Sequence, residues 1–244
     1  IQLPVMVHYD GFFLSYLSEG VDIPEQETVD RFLSVLASQP RRTVLRPGEK
    51  MGVGTHGILG GYMELRHKHV TAMERSKAKF DAIDREFADI FGRSYGGQLE
   101  EYLTEDADMV LLGSGSMCGT IKSVIDDQRE KGNRIGLVKI RMYRPFPHQA
   151  LVKALKGKKA IGVVDRSLAF GFDGGPIYTE LKAFETRLGG AKLVSFIDGI
   201  ANTDITKTNV EKMIRMTQDL ADGKDVPEVT WVSYPEANKD RGGK

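Results

Sequence analysis

From about residue 107 onward the sequence repeats one unit: a wholly apolar run, a turn, then a segment with apolar residues three and four places apart. DADMVLLGSGS carries a strand at Met109 to Leu112 into a glycine-rich turn, and MCGTIKSVIDDQREKG follows as a helix ended by Gly132. NRIGLVKIRMYRPFP is a strand followed by the helix HQALVKALKGK. KAIGVVDRS is a strand followed by the helix GGPIYTELKAFETRLGG. AKLVSFIDGIANTDIT is a strand and loop before the helix KTNVEKMIRMTQDLADG. Strands that are apolar at every position bury both faces, and strands alternating with helices pair in parallel. The pattern therefore predicts an α/β fold, a doubly wound parallel sheet with helices on both faces. In such a fold the functional crevice lies beyond the carboxyl ends of the strands.

The first hundred residues are organised differently. PVMVHYDGFF predicts a strand at Val5 to Val7 that ends at the turn-forming pair Asp10-Gly11. FLSYLSEGVDIPE allows one or two helical turns, broken by Gly20 and Pro24. ETVDRFLSVL places Val29, Phe32, Leu33 and Leu36 on one side of a short helix. Residues 38–62 show no period and are rich in glycine and proline, which reads as a linker or long surface loop. Glu64 to Phe91 is the longest periodic stretch, with Met73, Phe80 and Phe87 seven apart and Ser76, Ile83 and Ile90 in the same stripe. Gly92 stops that helix. Residues 225–244 read as an extended tail.

The strand ends concentrate the chemistry. After Leu137–Ile140 comes RMYRPFP, where Pro145 and Pro147 force an extended exit before a helix near His148. Phe146 is held between them, free to fill an apolar slot. Arg141 and Arg144 then stand at the carboxyl rim with bidentate donors. Asp165 and Arg166 end another strand, beside the first two arginines if the strands are neighbours. These charges read either as an internal ion-pair network or as a rim that meets another domain. Pro176 suits the first position of the helix after Gly174-Gly175. GSGS at 113–116 looks like a phosphate cradle. A dinucleotide fingerprint would need glycine at 118, however, and Cys118 stands there, with Gly119 one place late. The acidic ribose ligand is missing too, since KIRM is basic. A tight turn with Ser116 as helix cap is the alternative.

Other chemistries lack their residues. Lysine plus arginine balances aspartate plus glutamate, 34 against 34, so no global charge draws the chain to nucleic acid or an anionic membrane. No apolar run nears the roughly 20 residues of a membrane helix. His56, His67, His69 and His148 have no metal-ligand spacing, and no GxSxG or HExxH run occurs. The one cysteine, Cys118, reads as a small buried residue, allows no internal disulfide or self-held iron–sulfur cluster, and fits a reducing cytoplasm. No signal peptide is expected, and IQLPVMVHYDGF reads as the later portion of a longer polypeptide.

The order VMVHYDGFFLSY, FGRSYGG, DADMVLLGSGSMCGTIKSVID, GLVKIRMYRPFP, KKAIGVVDRSLAFGFDGGPIYTEL and GIANTDIT resembles the later part of the alpha chain of the 2-oxoacid:ferredoxin oxidoreductases, typified by pyruvate:ferredoxin oxidoreductase. The resemblance spans roughly residues 3–215. It implies the end of a thiamine pyrimidine-binding-type domain at 1–24 and a linker and long helix at 25–104. A transketolase C-terminal-like domain at 105–224 and the tail at 225–244 would follow. It further implies oxidative decarboxylation of a 2-oxoacid, pyruvate or a relative, usually with coenzyme A. Thiamine diphosphate, magnesium and [4Fe-4S] clusters would be held elsewhere in a complex. Its other subunits would be a thiamine pyrophosphate-binding beta, a gamma and a ferredoxin-like delta, with ferredoxin or NAD as acceptor. This chain alone would be inactive, and Arg141, Arg144, Phe146, Asp165 and Arg166 would sit at its packing surface. Where the family carries GLGGRD, this chain has GIANTDIT, with Asn202 and Thr203 in place of glycine and arginine, so a differently shaped loop is expected. The rival readings are a free-standing nucleotide-binding α/β module using Gly113 to Ser116, and a cluster-free transketolase-like dehydrogenase component.

Overall fold

A computed structural model describes residues 3–12, 14–37, 46–50 and 61–238. The chain divides into two compact units, residues 1–6 with 18–97, and residues 7–17 with 98–244. Most of the expected linker at 38–62, His56 included, lies outside the described residues.

The first unit is helical. α1 (Gln26–Ala37) packs on α2 (Tyr62–Phe91) through aromatic rings. Phe32 meets Phe87 and Phe91 edge-on at 5.5 and 5.6 Å, and Phe87 stacks on Phe91 at 4.4 Å. α2 ends as expected at Gly92, whose left-handed φ of 69° lets its N–H reach Ala88 O. The seven-residue stripe is helical but not sealed. Ile83 on that stripe is exposed, while the buried positions of α2 are Ser76 and Lys77.

The second unit is the predicted doubly wound sheet. In chain order its elements are β1 (Leu99–Tyr102), β2 (Met109–Ser114), α3 (Met117–Glu130), β3 (Ile135–Ile140), α4 (His148–Leu155), β4 (Ala160–Asp165), α5 (Pro176–Lys182), β5 (Lys192–Ile197), α6 (Lys207–Ala221) and β6 (Val229–Trp231). The strands lie in the order β1-β3-β2-β4-β5-β6, all parallel except β1, which runs antiparallel to β3. The sheet's apolar side chains divide between its two faces. α4 and α5 cover one through Leu151, Leu155, Ile177 and Leu181, and α3 and α6 cover the other through Ile121, Ile125, Val210 and Met213. Val110, Leu111 and Leu112 of β2 are fully buried, each contributing about 1.5–3 kcal/mol of hydrophobic stabilisation.

Three expectations are corrected. No strand forms at Val5 to Val7; those side chains are 72–86% exposed, and no strand in the described residues pairs with them. A strand cannot form without a neighbour for its N–H and C=O groups. Within the expected tail, Val229–Trp231 instead adds a parallel strand beside β5, pairing Thr230 with Phe196. Finally, β3 and β4 are not neighbours, because β2 lies between them.

Candidate functional site

β2 sends its helix to one face of the sheet and β4 sends its helix to the other, so a crevice opens beyond their carboxyl ends. Asp165 stands at its root and is only 3% exposed. Its carboxylate accepts the N–H groups of Ile177 and Tyr178 at 3.0 and 3.1 Å and so caps α5 from the preceding strand. Gly175 makes this approach possible, since a Cβ there would lie 2.1 Å from the Asp165 side chain. Burial raises the Asp165 carboxyl to about 6, against the lowering effect of the two backbone hydrogen bonds.

Arg166 turns the other way. Its Nε donates to Gly199 O at 2.9 Å and its Nη1 to Asp10 Oδ1 at 3.0 Å. The other oxygen of Asp10 accepts the Ser116 N–H at 2.6 Å. Burial alone would raise the Asp10 carboxyl, but hydrogen bonding from Ser116 and the Arg166 charge outweigh it and hold the group below its ordinary range. The GSGS turn thus receives an anion, as its pattern predicts, but the anion is the chain's own carboxylate. Gly115, at φ 77°, has Asp10 Oδ2 2.9 Å from where a Cβ would stand. Ser116 occupies the N-cap position without a side-chain cap bond. The expected hydroxyl cap is therefore replaced by Asp10, a residue read from sequence only as part of a turn. A signal did exist: the turn needs an oxyanion, and HYDG supplies one. Its distance of 106 residues hid it.

Beside this clamp lies a cleft of about 290 Å³ lined by Ser116, Met117, Thr120, Arg166 and residues 203–206. Thr206 begins α6 and accepts the Asn209 N–H at 3.2 Å. Thr203 and its neighbours belong to the loop expected to differ in shape, where Ala201 holds a φ of 54°.

The rim arginines do not form one cluster with Asp165. Arg144 pairs with Glu180 of α5 and lies over the rings of Tyr143 and Phe146, at 4.5 and 5.7 Å. Phe146 is half-buried against the α4–α5 face and neighbours Phe184, fitting the expected apolar slot. The chain reaches it through a cis Arg144–Pro145 bond, where an extended exit was expected. The Arg141 N–H donates to Gln98 O, continuing the β1–β3 edge. The expected Arg–Asp network is therefore two separate devices. Asp165 is consumed by α5, and the intervening β2 keeps 141 and 144 two strands from 165 and 166. Cys118 is buried, as expected, and burial pushes its thiol up to about 12. Among the described residues no group of three His, Cys, Asp or Glu side chains is placed to hold a metal, and no helix is long and apolar enough to cross a membrane.

Residues 107–210 match the family model described as pyruvate:ferredoxin oxidoreductase core domain II. The match begins two residues before β2 and ends inside α6, leaving β1 and β6 outside it. Over nearly its whole length the chain is similar to subunits of three curated enzymes. It is 39% identical to pyruvate synthase subunit PorA of Methanothermobacter thermautotrophicus, over 98% of this chain and 59% of that protein. It is 35% identical to the alpha subunit of NADH-dependent phenylglyoxylate dehydrogenase of Aromatoleum evansii, over 96% and 58%. It is 32% identical to ketoisovalerate oxidoreductase subunit VorA of Pyrococcus horikoshii, over 95% and 58%. The chain spans about three fifths of the length of these curated relatives.

Proposed function

We propose that this chain is the core-domain-II portion of an alpha subunit in a multisubunit enzyme that oxidatively decarboxylates a 2-oxoacid, and that its own part is to pack domains. The observation that carries this reading is the coincidence of the core domain II match with a rim whose polar groups serve the fold. Asp165 caps a helix, Arg166 clamps Asp10, and Cys118 is buried as a thiol. The names of the three relatives point to pyruvate, phenylglyoxylate and ketoisovalerate, which share the 2-oxoacid group and differ in the rest of the molecule.

The donor set here does not fit the cofactors such an enzyme needs. A lone cysteine cannot ligate a [4Fe-4S] cluster, and the Ser116 N–H at the start of α3 is engaged by Asp10. Thiamine diphosphate, magnesium and the clusters would belong to the beta, gamma and ferredoxin-like delta subunits or to other domains. Coenzyme A would be cosubstrate, and ferredoxin or NAD would take the electrons. The packing surface would include Arg144 with Phe146, and the loop after β4, on which Phe170 is 94% exposed and Phe172 about half.

The test is oxidation of a panel of 2-oxoacids by the complex purified through a tag on this chain. Turnover of at least one acid, dependent on added thiamine diphosphate after its removal, is expected. Absence of turnover with every acid contradicts the reading, and turnover by the isolated chain contradicts the packing role.

A further inference from the structure

Asp10 occupies the place where this kind of crevice receives an anion from outside. Its carboxylate shows that the Ser116 N–H and Arg166 together bind an oxyanion, at 2.6 and 3.0 Å. Arg166 is not exhausted by this. Its Nε and Nη1 are engaged, while Nη2 has no hydrogen-bond partner among the described residues, and the side chain lines the 290 Å³ cleft. Two long helices, α3 and α6, begin at that cleft, so their N-terminal dipoles favour negative charge at the same spot. Thr120 and Thr203 bring hydroxyls to its lining, while the Thr206 hydroxyl donates to Asn209 Oδ1. Asp204 stands on the wall as well. It disfavours a bare polyanion and favours a ligand that carries a donor of its own.

We propose that this cleft binds a small molecule bearing one phosphate or carboxylate group and a hydrogen-bond donor, and that the molecule competes with the Asp10 carboxylate for Arg166 and the start of α3. Asp10 acts as a tethered competitor. It keeps the position filled when no ligand is present and holds residues 7–17 to the sheet's rim. Binding from solution would free that segment, whose Tyr9, Phe12 and Tyr16 are already exposed. The proposal does not rest on the oxidoreductase reading, because binding is measured without turnover.

The full chain is titrated with inorganic phosphate and, separately, with acetate. Removing a tethered rival should tighten binding, so Asp10→Asn is expected to bind at least one probe about tenfold more tightly than the wild type. Adding Arg166→Gln should abolish that binding. In the wild-type chain the same probe should raise amide exchange at residues 7–17 and leave β4 and β5 unchanged. This last measurement decides the matter alone should the variants fail to fold. A response to phosphate only assigns a phosphate ester, and a response to acetate assigns a carboxylate. The proposal is overturned by equal affinities in wild type and Asp10→Asn, by binding that survives Arg166→Gln, or by no change in exchange with either probe.

Discussion

Asp165 gives up its hydration to hold two backbone N–H groups, and the energetic consequence is a pH dependence of unusual sign for a carboxylate. Its carboxyl lies near 6 in the folded chain, against 3.8 for an unburied aspartate. Between those values the folded state binds more protons at this carboxyl than the unfolded one, so its contribution to stability is fully present below about 3.8 and is lost as pH rises through about 6. Asp165→Asn should remove this contribution. Urea midpoints measured across that window should decline less steeply for the variant than for the wild type, and equal slopes would refute the assignment. Gly175 belongs to the same device. Gly175→Ala forces a Cβ to within 2.1 Å of Asp165, which should destabilise the unit by about 1–3 kcal/mol, the usual range for overpacking. A urea midpoint equal to the wild type would mean that the loop can move aside. At this scale the sequence was only half legible. RPFP, the DR pair and Pro176 announced that the rim mattered. Which charge meets which depends on strand order, and a strand carries no mark of its neighbour.

Among the elements, α6 is capped by the side chain of its own N-cap residue, Thr206. Thr206→Ala removes the acceptor of the Asn209 N–H and should lower stability by about 1 kcal/mol, read from the urea midpoint. A shift smaller than the error of replicate melts would show the cap to be dispensable. The exit from β3 tests the packing role. Arg144 and Glu180 are 51% and 37% exposed, so their pair should contribute no more than about 1 kcal/mol to this fold. Arg144→Ala is therefore expected to leave the melt nearly unchanged while lowering recovery of the assembled complex. An intact complex with normal turnover removes Arg144 from the packing surface. The central strands and their helices were plain in the sequence because burial on both faces forces continuous apolarity. β1 and β6 were not. LEEY carries two glutamates, one of which, Glu100, pairs with Lys122 and Lys139, and charge on a sheet edge conceals a strand. VTW is three residues long and sits in a charged, proline-containing tail, too short to show a period. Val5 to Val7 erred in the opposite direction, having a strand's composition but no ladder to join.

For the whole molecule, two lines converge on one account. The doubly wound unit follows from alternation and apolar runs alone, and the core domain II match runs from β2 through β5 to the first turn of α6. The account places the reacting groups outside this chain and gives the rim two structural tasks, capping α5 and clamping Asp10. What was not legible is the clamp itself, since the partners are an early turn and a late strand end. Iron content of material isolated from its native host on a tag carried by this chain tests the central claim most directly. The account predicts a brown assembly in which this chain is accompanied by cluster-bearing subunits and iron is present in stoichiometric amount. A colourless protein recovered by itself, free of iron, would contradict it.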